Sequence, residues 1–311
     1  GPEGHPLVES RLRVPDPVVD DGPVFEAEQQ VDVVVGVDVL RDGHFIESGN
    51  FKDIDEHIAT SLLVGDREID TTWIKEDKRE KTILSARSLT CDGFFHDVSF
   101  DLQRGEVLAI TGLHGDGRSE LSEALFGARP LSSGKIFLNG EELKLTNISS
   151  VMKSGIGMIP RNRKERSIIK DLSVVNNFSV AYFVAKHEKA FINDKEEIER
   201  FNHSRQTIDI KTDDPNNYIT SLSGGNQQKV IVSRWLELDS DVYIMDNPTQ
   251  GIDVGTKFEI YRLINEISQR GKSLIIFSAE FPEIHRIADR CFVMYKGCLL
   301  YTSPSPRDRT R

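Results

Sequence analysis

Hydrophobic and polar positions first fall into a regular pattern at Val31. Val33, Val35, Val37 and Val39 alternate with less uniform positions, which predicts a strand. Arg41-Asp42-Gly43 then predicts a tight turn into His44-Phe45-Ile46. Apolar side chains at Ile54, Ile58, Leu62 and Leu63 predict a short amphipathic helix within Ile54–Val64. Before this region, residues 1–30 are proline-rich and acidic with neither period, and they are expected to be irregular or disordered. After it, residues 66–80 are densely charged and read as a solvated linker, with Trp73 as a candidate docking side chain.

A longer pattern begins near Lys81. Strands are predicted at Asp97–Leu102, Val107–Thr111, Gly155–Ile159, Val242–Asp246, Ser273–Ser278 and Cys291–Tyr295. Helices are predicted at Ser119–Phe126, Gln227–Leu236 and Thr256–Gln269. Strands alternating with helices imply an α/β domain with a largely parallel sheet. The charged stretch from Asp171 to Tyr218 is helical in composition and is expected to form a subdomain. Thr302–Arg311 has no apolar period and reads as a disordered or foreign tail.

Composition narrows the function. The 311 residues are 38% hydrophobic and 29% charged, values of a globular protein that holds a large core. A net charge of -11 argues against nucleic acid as a general partner. No apolar run approaches the roughly 18 residues that a membrane span needs. The first residues lack the apolar core of a secretory signal, so a cytoplasmic location is expected. Cys91, Cys291 and Cys298 have no metal-ligand spacing and read as free thiols, and the eight histidines form no ligand cluster.

Chemistry concentrates in Gly112-Leu113-His114-Gly115-Asp116-Gly117-Arg118-Ser119, between a predicted strand and a predicted helix. Gly112, Gly115 and Gly117 suit a loop whose backbone amides cradle phosphates at a helix N-terminus. Ser119 stands where a hydroxyl helps hold magnesium between phosphates. Arg118 stands where such loops ordinarily carry lysine, and its planar fork does not reproduce lysine's point charge. A plain glycine-rich turn would use many of the same residues. Asp246 closes the apolar run Val242-Tyr243-Ile244-Met245, where a carboxylate at a strand end reaches a magnesium ion beside the loop.

Leu222-Ser223-Gly224-Gly225-Asn226-Gln227-Gln228-Lys229-Val230 resembles the signature motif of ATP-binding-cassette (ABC) proteins, in the form used by bacterial importers of simple sugars. The resemblance runs from about Val31 to Tyr301. It implies a P-loop nucleotide-binding domain of ABC type, with a largely parallel central sheet and a helical subdomain. Residues 31–69 resemble the closing segment of a first cassette, 70–80 a linker, and 81–301 a second cassette. ATP and Mg2+ are the implied ligands. Ser223, Gly224 and Gly225 would contact the terminal phosphate of ATP held by the other cassette, and Gly251-Ile252-Asp253 resembles the loop that couples the two sites. The implied partners are the first cassette of the same polypeptide, membrane permease subunits and, indirectly, an extracytoplasmic solute-binding protein. The implied place is the cytoplasmic face of a bacterial membrane.

Besides Arg118, four positions depart from the pattern of an active site. Asn247 stands where the family carries the acid that polarises the attacking water, and an amide orients water without taking its proton. Glu280 stands at the switch-histidine position, although second cassettes of sugar importers often carry glutamate there. Arg161 and Asn162 stand where this subgroup normally has acids. The resemblance therefore implies a pair of unequal sites: a degenerate one built on Arg118, Ser119 and Asp246, and a competent one completed by Ser223–Gly225. Phe94 and Phe95 are candidates for stacking on adenine, or for core packing. Import of a nucleoside or of autoinducer-2, a non-transport cassette protein and a catalytically silent interaction module stay open as alternatives.

Overall fold

The structure, a computed structural model, describes residues 36–41, 44–50, 81–186 and 193–301. Segment 1–30, the helix expected within 54–64, Trp73 and the tail 302–311 lie outside the described residues. Of the alternating valines, Val37 and Val39 lie in a strand, β1 (Gly36–Arg41), which pairs antiparallel with β2 (His44–Asn50), while Val33 and Val35 lie outside the described residues. Arg41 faces His44 in register, as a tight turn requires, while Asp42 and Gly43 themselves are outside the description.

From residue 81 the chain builds two sheets. β3 (Thr82–Cys91), β4 (Phe95–Gln103), β6 (Ser133–Leu138) and β7 (Glu141–Glu142) form an antiparallel sheet in the order β4-β3-β6-β7. The second sheet holds β5 (Val107–Gly112), β8 (Ile156–Ile159), β9 (Val242–Asp246), β10 (Ser273–Phe277), β11 (Arg290–Tyr295) and β12 (Cys298–Tyr301). Its order is β12-β11-β5-β10-β9-β8, parallel throughout except for the β11–β12 pair. Every residue of β8, β9 and β10 is buried, as expected of parallel strands covered on both faces.

The helices are α1 (Arg118–Leu125), α2 (Ile148–Lys153), α3 (Arg163–Arg166), α4 (Val174–Lys186), α5 (Asp194–Ile208), α6 (Gly224–Leu236), α7 (Val254–Gln269) and α8 (Phe281–Ile287). α4 and α5 make the expected subdomain. Its own core joins Val174, Val175, Phe178, Phe201, Ile210 and Ile219 to Val230 of α6. Phe178 and Phe201 meet edge to face there, 5.5 Å between ring centres. The larger core lies between the sheets and around the parallel one, with Phe126 of the α1 terminus packed against Trp235 of α6.

One expectation needs correction: the helix predicted from Gln227 begins at Gly224, because Ser223 is its N-cap and accepts from the Asn226 amide. The largely parallel central sheet is present, and β3 with its antiparallel partners forms a second sheet beside it. β3 escaped the period-two pattern for a local reason. Its pairing with β4 shifts register between Ala86 and Leu89, where Ser88 has φ 46°. No helix among the described residues is long and apolar enough to cross a membrane.

Candidate functional site

Neighbouring parallel strands bring the site together at their carboxyl ends. β10 lies between β5 and β9, and Phe277 is level with both Ile110 and Asp246. The segments after these three strands, Gly112 onward, Asn247 onward and Ser278 onward, therefore leave the sheet on one edge. Open parallel sheets place their ligands at that edge.

The loop after β5 takes its shape from its glycines. Gly115 and Gly117 have φ of 80° and 96°, and Gly117 is the left-handed residue that starts α1. A Cβ on Gly117 would lie 2.6 Å from the Phe94 carbonyl oxygen, so only glycine fits beneath that turn. Gly115, Gly117, Arg118 and Ser119 line a cleft of about 690 Å³, which Arg161, Asn162, Lys164 and Arg166 also line. Gly112 lies at the foot of the loop.

Asp246 sits behind this loop and is buried. The Ser119 hydroxyl is near enough to favour its ionised form, and the Asn247 side-chain amide donates to Oδ1 at 2.7 Å. Burial pushes the Asp246 carboxyl above its usual range. The Ser119 hydroxyl, the charge of Arg161, the Asn247 amide and the charge of Arg118 pull it back only in part. Asn247 is held at φ 48°, its backbone amide on the Phe277 carbonyl at 2.8 Å. The structure thus brings Ser119, Asp246 and Asn247 close to one another. Ser119 and Asp246 present a hydroxyl and a carboxylate side by side, the hard oxygen donors that fit one face of a magnesium site.

Glu280 is exposed and pairs with Lys257 of α7 at 2.6 Å. Its backbone amide donates to Ser278 Oγ, which in turn donates to Glu283. Glu283 also accepts from Thr249 Oγ1 at 2.7 Å, so one buried carboxylate ties the segment after Asp246 to the segment after β10. Burial raises the Glu283 carboxyl, against the pull of its two hydroxyl donors.

Ser223, Gly224, Gly225 and Asp253 are not among the residues lining the cleft. Asp253 caps α7, accepting from the Thr256 amide at 2.9 Å and its hydroxyl at 2.8 Å. Of the two aromatic candidates, Phe95 is fully buried core, whereas Phe94 is 41% exposed with the Arg129 guanidinium 4.5 Å from its ring centre. The wall residues Glu123, Arg129 and Arg166 carried no sequence signal. Arg129 and Arg166 both pair with Glu123, at 2.7 and 2.6 Å, across separations that match no helical or strand period.

Comparison with known proteins now adds to this geometry. The ABC transporter family matches residues 95–250, just over half of the chain. The ribose import ATP-binding protein RbsA of Clostridium perfringens (strain 13 / Type A) is 39% identical over 263 residues, covering 84% of this chain and 52% of that protein. The galactose/methyl galactoside import ATP-binding protein MglA of Clostridium tetani (strain Massachusetts / E88) is 37% identical over 275 residues, covering 88% and 55%. The chain therefore spans about half the length of the curated relatives it matches. Among solved structures, a nucleotide-free ATP-binding cassette from an ABC transporter superposes with a TM-score of 0.65 at 18% identity, covering 74% of this chain and 94% of that one. That likeness speaks to the fold alone. The family match begins on β4 and ends just past Asn247, so the stretch that builds the cleft is the stretch that carries the family pattern, and the chain belongs to the ABC transporter family.

Proposed function

We propose that this chain is the ATP-binding end of a two-cassette importer of simple sugars, a peripheral subunit at the cytoplasmic face of the membrane. Residues 81–301 would be the second cassette, following the end of a first at 31–69 and a linker at 70–80. The observation that carries the nucleotide reading is the cleft at the N-terminus of α1, lined by the glycine loop and Ser119, with Asp246 at the same edge of the sheet. The sugar class is supported by relatives named for ribose and galactose import.

In this reading the amides of 115–119 and the start of α1 hold the phosphates of ATP. Ser119 and Asp246 would hold Mg2+, which on binding neutralises charge on the phosphates. Asn247 orients water but accepts no proton, so this site binds nucleotide and turns it over slowly. Ser223–Gly225, outside the cleft, serve the nucleotide held by the first cassette. The permease and an extracytoplasmic binding protein choose the solute.

Titration of the purified 311-residue chain with Mg-ATP, followed by steady-state phosphate release, tests the reading. Saturable binding with turnover well below about 1 per second is expected. Failure to bind would remove the nucleotide site, and turnover at or above that rate would remove the degenerate assignment.

A further inference from the structure

The phosphate loop contains a carboxylate of its own, and the fold turns it inward. Asp116 is 6% exposed and Arg118, two residues on, is 8% exposed. Asp116 Oδ1 accepts from the Arg118 backbone amide and from its Nε, both at 3.1 Å, and Oδ2 accepts from the same Nε at 3.0 Å. Arg118 Nη2 reaches the Leu113 carbonyl at 3.3 Å. The remaining nitrogen, Nη1, is buried without a hydrogen-bond partner.

The loop is shaped around this pair. A Cβ on Gly112, at φ 155°, would lie 1.9 Å from Asp116 Oδ2, so glycine there makes room for the carboxylate. The one cation on the loop is thus neutralised by the loop itself and folded back along it. Its resting state is also unsatisfied. A buried guanidinium nitrogen with no acceptor is an unfavourable arrangement, and an anion offering several oxygens can take the group over. Glu123, another acid of the cleft, is matched separately by Arg129 and Arg166. Asp116 is the acid matched to Arg118.

We infer that Asp116 sets the nucleotide affinity of this site: it is a built-in counter-ion that competes with the phosphates of a nucleoside triphosphate for Arg118. This rests on reading the cleft as a nucleotide site. Two consequences separate it from a role in loop folding. Removing the carboxylate frees a cation and tightens binding, whereas removing the cation weakens it. With Arg118 already neutralised by substitution, removing Asp116 no longer strengthens Arg118's contribution.

The test is calorimetric titration of the full chain with Mg-ATP, with thermal melts for each variant. Asp116→Asn keeps an oxygen acceptor for the loop amide, and Asp116→Ala is the second variant if the amide distorts the loop. Both are expected to bind about tenfold tighter or better than wild type. Arg118→Gln should bind more weakly, and Asp116→Asn/Arg118→Gln should show much less than the tenfold gain. Folded Asp116 variants that bind no tighter than wild type would overturn the inference while leaving the nucleotide site standing. Absence of Mg-ATP binding in wild type and all variants would instead overturn the nucleotide reading, and this inference with it.

Discussion

Gly225 lies against Thr256, so close that a Cβ on the glycine would fall 2.5 Å from the threonine Oγ1 and 2.8 Å from its Cγ2. Thr256 has a second duty, since its amide and hydroxyl both serve Asp253. Burial would raise the Asp253 carboxyl, but these donors outweigh it and hold the group below its usual range. The start of α6 and the start of α7 are therefore set by one contact. Gly225→Ala must push Thr256 off Asp253 and is expected to cost about 1–3 kcal/mol, as overpacking does. Thr256→Ala removes the two nearest atoms and leaves only Cβ at 3.1 Å, so the pair should recover part of the loss. A double-mutant cycle of denaturation free energies reads the coupling. Strict additivity would mean that the two residues do not share this contact.

A second dependence lies deeper in α6. Arg234 is buried with no carboxylate beside it, and burial lowers its pKa to about 10, which leaves it charged at neutral pH. Its Nε donates to the Asn177 carbonyl, Nη1 to the Ser167 carbonyl at 2.8 Å and Nη2 to Asn177 Oδ1 at 3.2 Å. The guanidinium thus joins α6 to the helical subdomain through a fork that lysine cannot copy. Arg234→Ala is expected to lose about 3 kcal/mol or more, because the Ser167 and Asn177 carbonyls lose a charged donor and Asn177 Oδ1 keeps only the Ile169 amide. Arg234→Lys should recover less than half. Urea midpoints at unchanged slope measure both, and a loss under about 1 kcal/mol for Arg234→Ala would contradict this account.

These two contacts also mark where reading the sequence stopped. Parallel strands such as β9 and β10 were legible because burial on both faces writes a continuous apolar run. The glycine loop and Asp246 could be singled out because the proposed chemistry needs fixed residue types in a fixed order. β3 was not, because a register shift at Ser88 breaks its alternation. Nor was the helix start at Gly224, since glycine weighs against a helix unless the cap at Ser223 is recognised. Asp116 stands inside the same loop, and its position alone gives it no role. Its meaning depends on the side chain folding onto Arg118, and residue spacing does not encode that direction.

Under the proposed reading, Asn247 makes this site hard to repair by one change. Its left-handed backbone suits asparagine better than glutamate, at a cost of about 1–2 kcal/mol for most residues. Its amide also donates to Asp246, whose carboxylate already resists ionisation because it is buried. Asn247→Glu would replace a donor with a like charge, so it should add little hydrolysis alone. Combining it with Arg118→Lys should add more than the sum, since a mobile ammonium serves the phosphates that the new base needs in place. Phosphate release from the complete two-cassette protein, with the first cassette's own site disabled, provides the cycle. Independent effects would argue that the two residues do not act on one nucleotide.

The proposed division of labour makes Gly224 more important to transport than Arg118. Gly224 is the first residue of α6, directly after the Ser223 cap, and lies outside the cleft of its own domain. An acidic residue in the first turn of a helix is favourable for folding, by about 0.3–1 kcal/mol. Gly224→Asp should therefore leave the fold intact, and any loss of function must come from what the signature faces. In the proposed assembly it faces the terminal phosphate of ATP bound by the first cassette, and a carboxylate there opposes closure by charge and by volume. Arg118→Ala strikes the proposed slow site and should leave partial uptake. ATP-driven sugar uptake into vesicles holding the complete protein and its permease decides between them, with assembly verified for each variant. Near-complete loss is expected for Gly224→Asp and a smaller loss for Arg118→Ala. Normal uptake with Gly224→Asp and none with Arg118→Ala would reverse the assignment, and the principal hydrolytic site would then have to lie at Arg118 despite Asn247.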